Sequence, residues 1–225
     1  AKSQWIAFMD CGLLFETNWL EKQWEFVQGK DVKITSGVVY LTGEGLIDSS
    51  AVAQTYGYKR PRPCVPSSLM KKSLFDETGL FEENKRAGYD AAWLSLLKEL
   101  DIERAINEKV ILKYNGVNFG NNLKFIFHKS ILYASASVGL KYYNGPYYNL
   151  ILFFSALFII LQYPKTVPLF IILYLFLRGF LIPIKKSKGV KIFFEKPLAI
   201  FSLPVVGFVL DSGRIIGFCK GIFSN

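Results

Sequence analysis

The apolar pattern of this chain predicts an α/β domain followed by a membrane-attached helical part. Three observations carry that prediction. Up to about residue 125, short apolar runs of strand length alternate with segments of helical spacing, the order expected of an α/β sheet. From about residue 145 onward the chain is almost unbroken Leu, Ile and Phe with Pro breaks. The cations gather beside those apolar segments, with Lys124, Lys129 and Lys141 before them and Lys185, Lys186, Lys188 and Lys191 after. With 225 residues and a net charge of +9, the chain has room for one domain and something smaller. Basic residues at the ends of apolar segments suit anionic lipid headgroups, so a membrane and no nucleic acid is the expected partner. The expected parts are an α/β domain over 1–118, an amphipathic interfacial helix over 119–145, a transmembrane hairpin over 146–184, and a membrane-associated tail over 185–225.

Trp5 to Met9 is a continuous apolar run, the pattern of a strand covered on both faces, and it ends at Asp10. Such a strand feeding straight into an acidic turn suggests that part of the domain lies upstream. Trp19 to Gln28 has helical spacing, with Thr17 or Asn18 as cap and Gly29 as stop. Val32 to Thr42 alternates as a strand with a bulge at Ser36-Gly37. Asp48 or Ser49 opens a short helix ended by Gly57. Lys59 to Pro66 reads as a basic loop and Ser67 to Met70 as a short strand. Lys72 to Thr78 reads as a helical turn, and Leu80-Phe81 leads through Glu82 and Glu83 to Gly88. Asp90 then opens a helix carrying Trp93, Leu94, Leu97 and Leu100, and Ala105 to Tyr114 is the last strand.

Asn121 to Tyr143 reads as an amphipathic helix on the membrane surface. Tyr147–Tyr163 and Val167–Ile184 are of about spanning length and are separated only by Pro164-Lys165-Thr166, so they form a hairpin. Tyr142, Tyr143, Tyr147, Tyr148 and Tyr163 fit interfacial belts. The Lys-rich ends place both hairpin termini, and the α/β domain with them, on the cytoplasmic side. Arg178 lies within the second span. It is read either as a site for an anionic headgroup or, by preference, as snorkelling to the nearby interface. Leu198 to Leu210 is too short to span and is read as interfacial or re-entrant. Gly213, Gly217 and Gly221 fall on one helix face, a spacing that permits close packing.

Cys11, Cys64 and Cys219 form no pairing or zinc-binding pattern. His128, the single histidine, is read as a polar interfacial residue. Asp10 and Asp90 are the carboxylates of interest. One at the tip of a strand suits a divalent cation or a sugar-nucleotide hydroxyl. One at a helix start is favoured in its ionised form and can accept a proton from a hydroxyl, although the same position equally describes a helix cap. Ser67 and Ser68 read either as the lining of an acceptor pocket or as ordinary turn hydroxyls. Arg60, Arg62, Lys71 and Lys72 read either as contacts to a diphosphate or as a solvated basic face.

IAFMDCGLLFETNWLE (6–21), PSSLMKKSLFDETGLFEENKRAGYDAAW (66–93) and the tail DSGRIIGFCKG (211–221) together resemble the C-terminal half of a family 2 glycosyltransferase of the membrane-attached, polysaccharide-building kind. The resemblance covers most of the chain. It implies a GT-A fold, a nucleotide-sugar donor, a lipid-linked or polysaccharide acceptor, a divalent cation (Mg²⁺ or Mn²⁺) and an inverting single displacement. Asp10 matches the first acid of the family's Asp-x-Asp metal motif, and Asp90 matches its general base. Gly12 stands where the second Asp of that motif is expected, and Tyr89 replaces the Glu before the base. Those two departures motivate an alternative, a non-catalytic scaffold in a polysaccharide-assembly complex. The upstream strands of the domain are absent from this sequence, so residues 1–225 alone are expected to be inactive.

Overall fold

The computed structural model describes residues 2–10, 13–81, 88–114, 119–140 and 145–224, which fall into two units. Ala1–Leu41 and Lys59–Val117 form an α/β unit. Thr42–Tyr58 and Asn118–Asn225 form a helical unit.

In the α/β unit, β1 (Trp5–Ala7) and β2 (Leu13–Leu14) lead into α1 (Trp19–Val27) and β3 (Ile34–Tyr40). The chain then leaves for α2 (Leu46–Thr55), which belongs to the helical unit, and returns as β4 (Pro61–Lys71). There follow α3 (Leu74–Thr78), α4 (Tyr89–Glu99) and β5 (Ala105–Tyr114). The five strands form one mixed sheet in the order β1-β4-β3-β5-β2. Only the β3–β5 pair is parallel; β4 runs antiparallel to both β1 and β3. The mixed α/β architecture with helices is thus the one expected.

Alternation along β3 explains why helices cover both faces. Ile34 points into a core with Met70, Leu74, Trp93 and Leu97, all buried. Thr35, one residue on, points the other way and donates to Gln23 of α1 at 3.1 Å. Gln23 in turn donates to the Ser67 carbonyl at 2.8 Å, so α1 is tied to the sheet through a fully buried amide. The register of β3 with both neighbours breaks between Ser36 and Val38, as the Ser36-Gly37 reading anticipates. A Cβ on Gly37 would lie 2.7 Å from the Val110 carbonyl, which is why glycine occupies the bulge.

Two strand expectations are corrected. Trp5–Met9 is not a strand buried on both faces: β1 is only three residues long, half-buried, and the outer strand of the sheet among the described residues. Lys59–Pro66 is not a loop, because β4 already starts at Pro61. The prolines are tolerated because β4 is irregular here, its register with β3 jumping from Val38↔Pro63 to Ser36↔Ser68, and a bulged strand leaves positions that need no backbone N–H. The acidic turn at Glu82-Glu83 and the Gly12 position lie outside the described residues.

The helical unit contains α2, α5 (Leu123–Ala136), α6 (Gly145–Gln162), α7 (Val167–Phe176), α8 (Ile182–Ser187), α9 (Lys191–Glu195) and α10 (Ala199–Ser224). A π-helical turn, Leu177–Leu181, joins α7 to α8. Among the described residues two helices are long and apolar enough to cross a bilayer, Pro164–Ser187 and Ala199–Phe223. The first contains the second arm of the expected hairpin. The second corrects the interfacial reading of Leu198–Leu210, since α10 runs on as one 26-residue helix in spite of Pro204. α5 buries Ile126, Ser130 and Ala134, and the glycine stripe of α10 lies against that helix. A Cβ on Gly217 would sit 2.3 Å from the Ile131 carbonyl. Tyr142 and Tyr143 of the expected aromatic belt fall outside the described residues.

The helical unit also takes in a stretch that the sequence pattern assigns to the α/β domain. Ala51, Val52 and Ala53 of α2 are fully buried, and small side chains allow such close helix approach. Ser50 shares a hydrogen bond with Ser202 of α10 at 2.7 Å.

Candidate functional site

The strand directions place the first candidate site. β1 is parallel to β3 and β5, because β1 and β3 are both antiparallel to β4. The carboxyl ends of β1, β3 and β5 therefore point in one direction, toward the edge at which α/β sheets bind ligands, with β1 stopping level with Thr35 near the start of β3. The chain leaves β1 at one side of the sheet and re-enters it as β2 on the opposite side, paired to the C-terminal end of β5 at Tyr114. Asp10 lies in that crossing segment, exposed, just past the end of β1.

An aromatic clamp brings Asp90 to the same place. Phe8, two residues before Asp10, packs against Phe75 at 5.9 Å and Phe81 at 5.8 Å between ring centroids. Phe81 packs on Trp93 at 5.1 Å, and the Trp93 indole donates to the Thr78 hydroxyl at 3.1 Å. Such ring pairs contribute about 0.5–1.5 kcal/mol each beyond area burial. Trp93 stands one turn after Asp90, in the first turn of α4, and the left-handed Gly88 turns the chain into that helix. Tyr89, next to Asp90 in sequence, packs edge-on to Phe81 at 5.9 Å. Its phenol is held above the usual tyrosine range, first by burial and then by the negative charges of Asp10 and Asp90. Both carboxylates are thus near enough to Tyr89 for their charge to be felt there, although eighty residues separate them in sequence. Tyr89 stays a neutral donor at neutral pH, available to a hydroxyl or a phosphate oxygen. Sequence reasoning registers Tyr89 only as a substitution; its contact with Phe81 comes from the fold.

The other predicted residues divide. Arg62 pairs with Val39 near the end of β3, so Arg60 and Arg62 lie toward the carboxyl end of that strand. Lys71 pairs with Trp5 at the start of β1, which puts Lys71 and Lys72 at the opposite edge, up to ~30 Å away along β4. The Lys71 ammonium lies 3.9 Å from the exposed Asp31 and over the Trp5 ring, so one diphosphate does not gather all four cations. Ser67 and Ser68 are fully buried. The Ser67 hydroxyl donates to the Cys64 carbonyl at 2.9 Å, and that of Ser68 shares a hydrogen bond with Ser36 at 2.6 Å. Both hydroxyls serve the β3–β4 irregularity. Burial raises the Cys64 thiol above its ordinary range in spite of Ser67, Arg104 and Arg62, so it is a thiol and not a thiolate nucleophile.

For a divalent cation, the relevant donors are Asp10 and the neighbouring Asp90. Among the described residues no group of three or more His, Cys, Asp or Glu side chains gathers to hold a metal ion. An exposed carboxylate at a strand end nevertheless suits Mg²⁺, which binds through one or two carboxylates with substrate phosphates and water completing its shell. Asp10 would be the holding residue, and the ion would supply charge neutralisation for a leaving diphosphate.

A second polar constellation lies in the helical unit. Arg178, in the π-helical turn, is buried, which corrects the snorkelling reading. Its guanidinium donates through Nε to Asp211 Oδ2 at 2.7 Å and through Nη2 to Asp211 Oδ1. Nη1 donates to Gln54 Oε1 at 3.1 Å. Gln54 returns its amide to the Arg178 carbonyl at 2.6 Å and the Leu203 carbonyl at 2.9 Å. Tyr174 also donates to Asp211 Oδ2, at 3.0 Å. Gly207 leaves room for the Arg178 stem, since a Cβ there would come within 2.9 Å of it. Gln54 and Asp211 escape sequence reasoning, although a lone carboxylate in a long apolar helix is the available signal.

No known protein-family pattern matches the chain, and no curated protein is significantly similar to it in sequence.

Proposed function

We propose that the protein is a membrane-attached glycosyltransferase that moves a sugar from a nucleotide-sugar donor to a lipid-linked or growing surface-polysaccharide acceptor at the cytoplasmic face. The observation that supports it best is the aromatic contact of Phe8 with Phe81 and of Phe81 with Trp93, which joins the segment carrying Asp10 to the first turn of α4 carrying Asp90. In this reading Asp90 is the general base. It takes the proton of the acceptor hydroxyl as that oxygen attacks the anomeric carbon and the nucleoside diphosphate departs from the opposite face, which inverts the configuration. Asp10 holds the divalent cation at the diphosphate, and Arg62 adds a cation from the same edge. Such a division needs one acid near the acceptor and another near the leaving group. The GT-A fold is part of the same proposal, resting on the motif resemblance and on the edge geometry.

The scaffold reading is favoured by the two departures from the motifs, Gly12 in place of the second Asp and Tyr89 in place of the Glu before the base. Donor binding separates the two. Protein expressed from its own gene and kept in its native membranes is titrated with a panel of nucleoside diphosphate sugars, with and without Mg²⁺ or Mn²⁺. Saturable binding of one donor is the expected result. No binding under either condition assigns the protein to the scaffold class.

A further inference from the structure

The helical unit contains a cavity of about 450 Å³ between α6, α7 and α10. That volume lies within the range of about 300–1,000 Å³ common to small-molecule sites. Ala156 of α6, Leu173 of α7 and Phe218 of α10 belong to its lining, which is mostly apolar. Its polar lining side chains include Tyr174, Arg178 and Asp211, and these bond to one another. Asp211 accepts from Arg178 Nε at 2.7 Å and from the Tyr174 hydroxyl at 3.0 Å. α7 passes into the π-helical turn Leu177–Leu181 at the cavity, where Leu177 and Arg178 line it. Such turns occur frequently at functional sites.

We propose that this cavity holds one fatty acyl chain of a bilayer phospholipid, whatever its headgroup. Water is a poor occupant, because an ordered buried water needs several polar partners and the polar groups here already serve each other. An unfilled cavity is unfavourable too, since its lining forfeits dispersion contacts and the loss grows with its volume. Hydrocarbon restores those contacts and asks for no hydrogen bond. α7 and α10 lie in the two segments of spanning length, so acyl chains surround them at high concentration and are the hydrocarbon that reaches the site. The site is independent of the transferase reading and rests on the membrane reading of these two helices.

The test uses the full chain, purified in a nonionic steroidal detergent that brings no alkyl chain to compete. It is titrated with dioleoylphosphatidylcholine or dioleoylphosphatidylglycerol, and bound lipid is counted by native mass spectrometry. One lipid is expected to be retained, with the two affinities within about twofold of each other. Lipid should also raise the unfolding temperature, because the occupant binds the folded state. Ala156→Trp puts a ring into the cavity and should abolish both retention and that rise. Ile151→Trp, exposed on the same helix and outside the lining, should leave both unchanged. Ala156→Leu provides a smaller blockade if the Trp variant misfolds, and should weaken retention about tenfold. Failure to retain lipid, or retention unchanged in every Ala156 variant that folds, would overturn the proposal. A preference of about tenfold or more for phosphatidylglycerol would overturn it by assigning the site to a headgroup. Displacement by equimolar farnesyl phosphate would overturn it too, by assigning the cavity to an isoprenoid. Donor binding is measured separately, so none of these failures touches the transferase reading.

Discussion

The α/β unit and the helical unit each hold a pair of oppositely placed charged residues from distant parts of the chain, but they use them in opposite ways. Asp10 and Asp90 stand exposed at the sheet edge, where water solvates them. The segments that carry them are joined by the Phe8, Phe81 and Trp93 rings. Arg178 and Asp211 are enclosed by helices and saturated with hydrogen bonds from each other, Gln54 and Tyr174. The first arrangement leaves carboxylates ready for a ligand, and their removal should cost the fold little. The second consumes its charges in structure, and removing one partner should cost the fold a great deal. Chemistry and stability should therefore separate cleanly between the two pairs.

The largest expected effect breaks the second pair. Asp211→Asn leaves the Arg178 charge buried without its anion, and should destabilise the helical unit by about 3–5 kcal/mol, read as a fall in thermal unfolding temperature in detergent. Combining Arg178→Met with Asp211→Leu should restore most of that loss, because an apolar pair of similar volume replaces a buried ion pair at little cost. If Asp211→Asn melts like the wild-type protein, the network is not the element that holds these helices. Gly217→Ala comes next. Its methyl group would meet the Ile131 carbonyl at 2.3 Å, and a cost of about 1–3 kcal/mol follows from the forced separation of α5 and α10. A neutral result would show that α10 is not seated on α5 through its glycine face.

At the sheet edge, the placement of the cations makes a comparison of its own. Arg62→Gln should reduce donor affinity about tenfold, the size of one lost charge-assisted phosphate contact. Lys71→Gln, at the opposite edge, should change it less than about twofold. Equal losses would mean that the carboxyl edge is not where the diphosphate binds.

The smallest effect is a pH dependence in the helical unit. Burial, together with the hydrogen bond to Glu195 and that residue's negative charge, pushes the Tyr58 hydroxyl up to about 12 from an ordinary value of 10. Tyr58 donates to Glu195 at 2.8 Å, so the folded state holds this proton more tightly than the unfolded one. The stabilisation is fully present below pH 10 and is lost as pH rises through about 12. Tyr58→Phe should remove that alkaline fall. An unchanged alkaline profile in Tyr58→Phe would assign the fall to another group.

Much of this was legible in the residues. Ala105–Tyr114 reads as a strand and is β5 without a shift. The Ser36-Gly37 bulge and the Asp90 helix also follow from local pattern, because alternation and turn chemistry decide them within a few residues. What escaped depends on partners far along the chain. Trp5–Met9 is apolar enough for a central strand, yet its position in the sheet is set by which strands pair with it. The Pro residues before Val65 argue for a loop until the broken register with β3 is seen to accommodate them. α2 carries an ordinary amphiphilic composition, and only its burial against α10 reveals that it belongs with the helical unit. Arg178 reads as an interfacial cation because its two principal partners lie 33 and 124 residues away. For the site, the two acids were named from the sequence. The link between the segments that carry them was not, since it arises from aromatic contacts that join Phe8, α3 and α4.

The most direct test of the transferase reading is the rate of sugar transfer by Asp90→Asn in native membranes, measured with the donor that binds and with membrane lipid extract as acceptor. The amide keeps the shape of the side chain and removes its basicity. Transfer is expected to fall by about 10²- to 10⁴-fold, with donor affinity, membrane retention and unfolding temperature unchanged. Asp90→Asn protein that turns over at the wild-type rate would contradict the account.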